Sequence, residues 1–229
     1  GGVTSIMDMP NTNPLTVTLD ALNAKLDLLN EKCIVNHSCY FGATNNNYTE
    51  FDKLDKHRVC GIKLFMGSST GNMLVDKMNS LLNIFNGTDM LIAAHCEDQE
   101  TIKNNIEKYK QKYKGADDIP VSAHPSIRSV PACYASSELA VRLAKIAGAR
   151  LHILHVSTAK ELQLFSDEPL ANKNITAEAC VAHLLFTLTH YNSLGARIKC
   201  NPAVKRKTDR EALRTAVNSG LIDVIATDH

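Results

Sequence analysis

Four residues far apart along the chain carry the side-chain types that hold and use a divalent metal ion: Lys63, His95, His155 and Asp228. Each stands in, or just past, an apolar strand-like run: "GIKLFM", "MLIAAHCED", "LHILHVST" and "LIDVIATDH". Imidazole and carboxylate donors suit a first-row divalent ion, zinc foremost. Lys63 does not fit that set as an ammonium, which cannot ligate a cation and is costly to desolvate among Ile62, Leu64 and Phe65. Two readings are open. Either the amine reaches water from near the strand's end, or burial keeps it neutral and able to add carbon dioxide. The resulting carbamate is a bidentate anionic ligand that can bridge two metals.

The other polar residues carry weaker signals. His152 lies at odd spacing from His155 on one strand, so alternation sends it to the opposite face and to a structural role. His37, His57, His124 and His190 have no partner pattern. His183 opens a helix in "AHLLFT" and reads as a packing or capping residue. Glu178, in Thr176-Ala177-Glu178, falls on the inward side of a strand without a catalytic assignment. Cys96 lacks an activating base and reads as a buried thiol.

Apolar, β-branched runs that can position these residues recur at Val3–Asp8, Cys33–Phe41, Gly61–Met66, Met90–Cys96, Arg150–Val156, Ile175–Cys180, Arg197–Cys200 and Ile222–Thr227. The run Gly67-Ser68-Ser69 closes the third of them as a turn. Amphipathic stretches separate the runs: Leu19–Lys32, Lys77–Phe85, Gln99–Tyr113, Ala132–Ala147, Ala159–Phe165 and Asp209–Ser219. Thr208 followed by Glu211 resembles a capping box for the last of these. Strand–helix alternation implies a parallel sheet with helical crossovers. No glycine-rich phosphate loop follows an early strand, which favours a (β/α)8 barrel over an open doubly wound sheet. In such a barrel chemistry sits at the C-terminal strand ends, where the four residues lie. No linker or repeat divides residues 1–229, so a single domain is expected.

Composition narrows the function further. The 229 residues are 44% hydrophobic with a formal net charge of +1, and no basic run interleaved with aromatics marks a nucleic-acid surface. The longest apolar runs fall far short of a membrane span. Seven cysteines, an odd number without CxxC spacing, favour a reducing cytoplasm over a disulfide framework.

The segments "GGVTSIMDMPNTNP", "GIKLFMGSSTGNMLVD", "AAHCED", "LHILHVST", "CNPAVKRKTDREAL" and "IATDH" resemble, in order and over essentially the whole chain, the dihydroorotases of the amidohydrolase superfamily. The resemblance implies a metal-bearing (β/α)8 barrel, incomplete in this chain. It also implies the reversible cyclisation of N-carbamoyl-L-aspartate to L-dihydroorotate in pyrimidine biosynthesis. By it, Lys63 is the carboxylated lysine bridging two zinc ions, and His95 and His155 bind the second metal. Asp228 binds the first and serves as the catalytic acid/base, while Asn11 and Asn201 hydrogen-bond the substrate. Some dihydroorotases carry an aspartate at the bridging position; this sequence follows the lysine type. The family's His-x-His pair and carboxylate-gripping arginine are expected upstream of Gly1, and a further histidine beyond His229. The implied partner is a small-molecule substrate, with no nucleic acid or membrane, and a homodimer is compatible with it. The rival readings are an allantoinase, a dihydropyrimidinase or hydantoinase, and an inactive dihydroorotase-like scaffold.

Overall fold

A computed structural model of the chain describes residues 2–67, 73–115, 117 and 119–228. Among the described residues the strands are β1 (Ser5–Asp8), β2 (Asn36–Gly42), β3 (Val59–Met66), β4 (Ile92–Cys96), β5 (Leu151–Ile153), β6 (Ile175–Cys180) and β7 (Val224–Ala226). Hydrogen-bonded neighbours follow chain order from β1 to β7. The pairs β1–β2, β2–β3 and β6–β7 are parallel, with Ser5 opposite Asn36 and Glu178 opposite Val224. A doubly wound sheet would reverse its order at a switch point. The unbroken order therefore identifies an incomplete (β/α)8 barrel. The expected Ser68-Ser69 part of the turn after β3 lies outside the described residues.

The helices are α1 (Leu19–Lys32), α2 (Met78–Asn86), α3 (Gln99–Lys112), α4 (His124–Ile127), α5 (Val130–Ala147), α6 (Val181–Leu185), α7 (Tyr191–Leu194) and α8 (Lys207–Asn218). Two show how local sequence sets their starts. The Thr18 side chain accepts from Ala21 N–H at the head of α1, and Leu22 and Leu26, four residues apart, bury its inner face. Asp98 caps α3 by accepting from Thr101 N–H at 2.8 Å. None of the helices among the described residues is long and apolar enough to cross a membrane.

Three expectations are corrected. Arg197–Cys200 is not a strand: Gly195 turns the chain at φ 56°, and Gly195–Ile198 forms one 3-10 turn that packs Ile198 with Tyr191 and Val204. Ala159–Phe165 shortens to a 3-10 turn over Glu161–Leu164, because the Glu161 carboxylate turns inward to bond Ser137, Ser157 and Thr158. At the head of α8 the cap is Arg206, whose N–H donates to Asp209, so the box is not Thr208 with Glu211.

The chain divides into two compact units, Gly1–His95 with Leu143–Leu151, and Cys96–Arg142 with His152–His229. In the first, Phe41, Ile62, Leu64, Ile84, Phe85 and Ile92 form a close-packed core, and Phe41 meets Phe51 edge-on at 6.1 Å. Here β3 is buried along nearly its whole length, as a parallel strand covered on both faces should be. Gly61 allows its close approach: a Cβ there would lie 2.5 Å from the Leu91 carbonyl oxygen. By contrast β1 leaves Met7 61% exposed. In the second unit Leu213, Ala177, Ala179 and Cys133 are buried, while β7 leaves Ile225 56% exposed.

Candidate functional site

Lys63 is 3% exposed. Its position inside β3 excludes the reading in which the amine simply reaches water. Lys63 and Phe65 are two residues apart on one strand and so share a face; the Lys63 Nζ lies 3.9 Å from the centre of the Phe65 ring. That ring also lies near His95, buried near the end of β4, with ring centres 5.8 Å apart. The first unit thus brings two of the predicted ligand residues to one aromatic side chain. Asn11 stands in the exposed loop after β1. Lys25 ties the base of that loop to α1, pairing with Asp8 at 2.6 Å and donating to the Met9 carbonyl at 2.8 Å.

In the second unit β5 ends at Ile153, and His155 takes a left-handed backbone, φ 41°, where strand alternation no longer applies. A non-glycine residue at positive φ needs surrounding structure to hold it. Glu178 on β6 does so. One carboxylate oxygen accepts from His155 N–H at 3.1 Å and the other from His152 Nε2 at 3.1 Å, while His152 Nδ1 meets the Thr176 hydroxyl at 2.8 Å. His152 is therefore buried, with its ring held between Thr176 and Glu178. Glu178 is a support that sequence reasoning left unassigned. The usable signal was the alternation of Thr176 and Glu178, which puts both on the face that meets His152.

The next turn is braced by buried polar groups. The Glu161 carboxylate accepts from Ser137 and Thr158 hydroxyls at 2.7 and 2.8 Å and from Ser157 N–H at 3.3 Å. Burial pushes its carboxyl above the usual range, against those hydrogen bonds and the Lys205 charge. Lys205 itself donates to the Ala203 carbonyl at 2.8 Å and reaches Ser157 Oγ at 3.4 Å. Glu97, two residues past His95, is fully buried and paired with Arg128 at the end of α4.

Asn201 is exposed in the turn before α8, and the His124 ring meets its side-chain oxygen at 3.1 Å. Asp228 is exposed just past β7 at φ 52°. Burial and then the charges of Glu178 and Asp228 push the Cys180 thiol up, which sets Asp228 in the electrostatic neighbourhood of the β6 end. His183, buried on α6, meets the Pro202 carbonyl with Nε2 at 2.9 Å; burial lowers its pKa to about 4. Packing, not capping, is its role. Cys96 is buried, as expected.

The donor types of His95, His155 and Asp228 suit a divalent ion, and the buried Lys63 is consistent with a latent carbamate ligand. Among the described residues, however, no group of three or more His, Cys, Asp or Glu is gathered closely enough to hold a metal.

Comparison with known proteins gives the lineage. No family model matches. The chain is 30% identical over 239 residues to a dihydroorotase of Halalkalibacterium halodurans, an alignment taking in all of this chain and 52% of that protein. The chain is thus similar along its whole length to about half of a curated dihydroorotase. A dihydroorotase of Staphylococcus epidermidis is 29% identical with the same coverage. The chain therefore spans about half the length of the curated relatives it matches. Among solved structures, the L-hydantoinase (dihydropyrimidinase) of Arthrobacter aurescens superposes with a TM-score of 0.91 at 27% identity, over 100% of this chain and 51% of that one. Hydantoinases of this kind belong to the amidohydrolase superfamily, and the match supports the incomplete (β/α)8 barrel read from the strand order.

Proposed function

We propose that this chain is part of a metal-dependent cyclic amidohydrolase, specifically a dihydroorotase that interconverts N-carbamoyl-L-aspartate and L-dihydroorotate. The observation that carries the reading is the buried Lys63 packed on the same ring as His95, in a chain homologous to dihydroorotases from end to end. Lys63, as its carbamate, would hold two zinc ions together with His95, His155 and Asp228. The metal, when bound, supplies Lewis acidity toward an amide carbonyl and toward water.

The chain's own residues supply the rest. Asp228 takes the proton of the water that attacks the ring amide carbonyl and hands it to the ring nitrogen as the C–N bond breaks; ring closure reverses the transfer and releases the water. Asn11 and Asn201 bind and orient the flat, polar substrate, contributing proximity rather than bond-making. A soluble cytoplasmic enzyme acting on this small molecule is the setting that fits.

Hydantoinase or dihydropyrimidinase activity is the second reading, favoured by the superposition on the Arthrobacter aurescens enzyme. The deciding experiment assays the purified full-length protein on carbamoyl-aspartate, dihydroorotate, hydantoin, dihydrouracil and allantoin. Dihydroorotate turnover at the highest kcat/KM is expected. A preference for hydantoin or dihydrouracil would reassign the substrate, and no turnover of any would favour the inactive scaffold.

A further inference from the structure

His124 Nε2 lies 2.9 Å from the Cys200 carbonyl oxygen and 3.1 Å from Asn201 Oδ1. A backbone carbonyl can only accept, so Nε2 must carry the hydrogen. The Asn201 atom facing the same N–H must then be an acceptor too, which fixes the amide with its oxygen toward His124. The NH2 group is left on the far side of an exposed side chain. His124 is buried at the head of α4, with 9% of its surface exposed, and desolvation lowers its pKa, so the ring is a neutral donor of a single tautomer at pH 7. The charged groups facing it are Arg128, Lys199 and Glu97.

We propose that His124 is a positioning residue that locks the Asn201 amide so that its NH2 group donates to a carbonyl or carboxylate oxygen of the substrate. The proposal rests on the reading of Asn201 as a substrate-binding residue. It gives that asparagine a polarity: it selects ligands that place an acceptor against it and disfavours those that place an N–H there. Without the lock the amide is free to flip, and a flipped amide presents its own oxygen to the substrate oxygen.

The test uses the full-length protein that carries this chain. His124→Phe keeps the ring volume and removes the donor. It should raise KM for dihydroorotate about tenfold, the scale of one polar contact, and leave kcat within about twofold. His124→Gln, whose amide nitrogen reaches the Nε2 position, should restore most of the loss. Asn201→Ala should raise KM similarly, and the double variant His124→Phe/Asn201→Ala should be no worse than Asn201→Ala alone, because His124 acts only through Asn201. An unchanged KM in His124→Phe, or effects that multiply in the double variant, would overturn the proposal. Nitrogen-15 NMR of the unsubstituted protein decides the lock without any variant: the Nε2–H tautomer of His124 supports it and the Nδ1–H tautomer refutes it. Absence of turnover on any cyclic amide would instead count against the proposed function, leaving the tautomer to decide the lock by itself.

Discussion

Lys63 and His95, in the first unit, both lie against the Phe65 ring. In the second, His155 donates its backbone N–H to Glu178 and the Asn201 side-chain oxygen accepts from His124. Packing is non-directional and tolerates apolar replacements of similar volume. A hydrogen-bonded arrangement fails when one partner is lost, because the remaining buried group is then unsatisfied. The proposed site residues thus rest on packed and on hydrogen-bonded neighbours, which differ in their sensitivity to mutation.

The largest effect should separate chemistry from support. Asp228 is exposed, so under the proposed function Asp228→Asn should cut turnover by the full-length protein by roughly 10²–10⁴-fold with little change in thermal midpoint; steady-state kinetics beside a melting curve checks this. If the first unit depends on packing, Phe65→Ala should cost about 3–5 kcal/mol of stability, whereas Phe65→Leu should cost much less. Urea titration of both measures the ratio, and equal losses would break the contrast. In the second unit, Glu178→Leu removes the acceptor of His155 N–H and of His152, at about 1–3 kcal/mol for each orphaned group. Here an apolar replacement should not rescue.

Acid sharpens the same contrast. His183 has a folded pKa of about 4 against 6.5 for a free histidine, so the unfolded chain binds its proton first. Its contribution is fully present above pH 6.5 and declines as pH falls toward 4, by about 3 kcal/mol in all. His183→Gln should flatten that part of a stability–pH curve. Lys63→Met, which keeps an unbranched chain of like length in β3, should lower the zinc content of the full-length protein, read by elemental analysis. Zinc retained there would remove the carbamate proposal.

Much of this molecule was legible in the sequence because its signals are local. The Val-Cys-Gly-Ile-Lys-Leu-Phe-Met run is apolar on both faces and forms β3. Thr18 and the four-residue spacing of Leu22 and Leu26 mark α1. The strand-end placing of His95 followed from the same pattern, whereas the burial of Lys63 was one of two readings that the pattern left open. What stayed hidden depends on partners remote in sequence. His124 has no local pattern, since its partners Cys200 and Asn201 lie more than seventy residues away. Glu178 gains its role from a left-handed residue just past the end of another strand. The Arg197–Cys200 run has strand-like composition, yet Gly195 and the packing of Ile198 against Tyr191 turn it into a single helical turn.

The outer strands carry a practical consequence. Met7 on β1 and Val224 and Ile225 on β7 present apolar side chains to solvent, and strand edges of that kind invite pairing with other chains. A preparation of these 229 residues alone should therefore scatter more light as its concentration rises. Solubility screens would gain more from acidic substitutions at Met7 and Ile225 than from any change near Lys63.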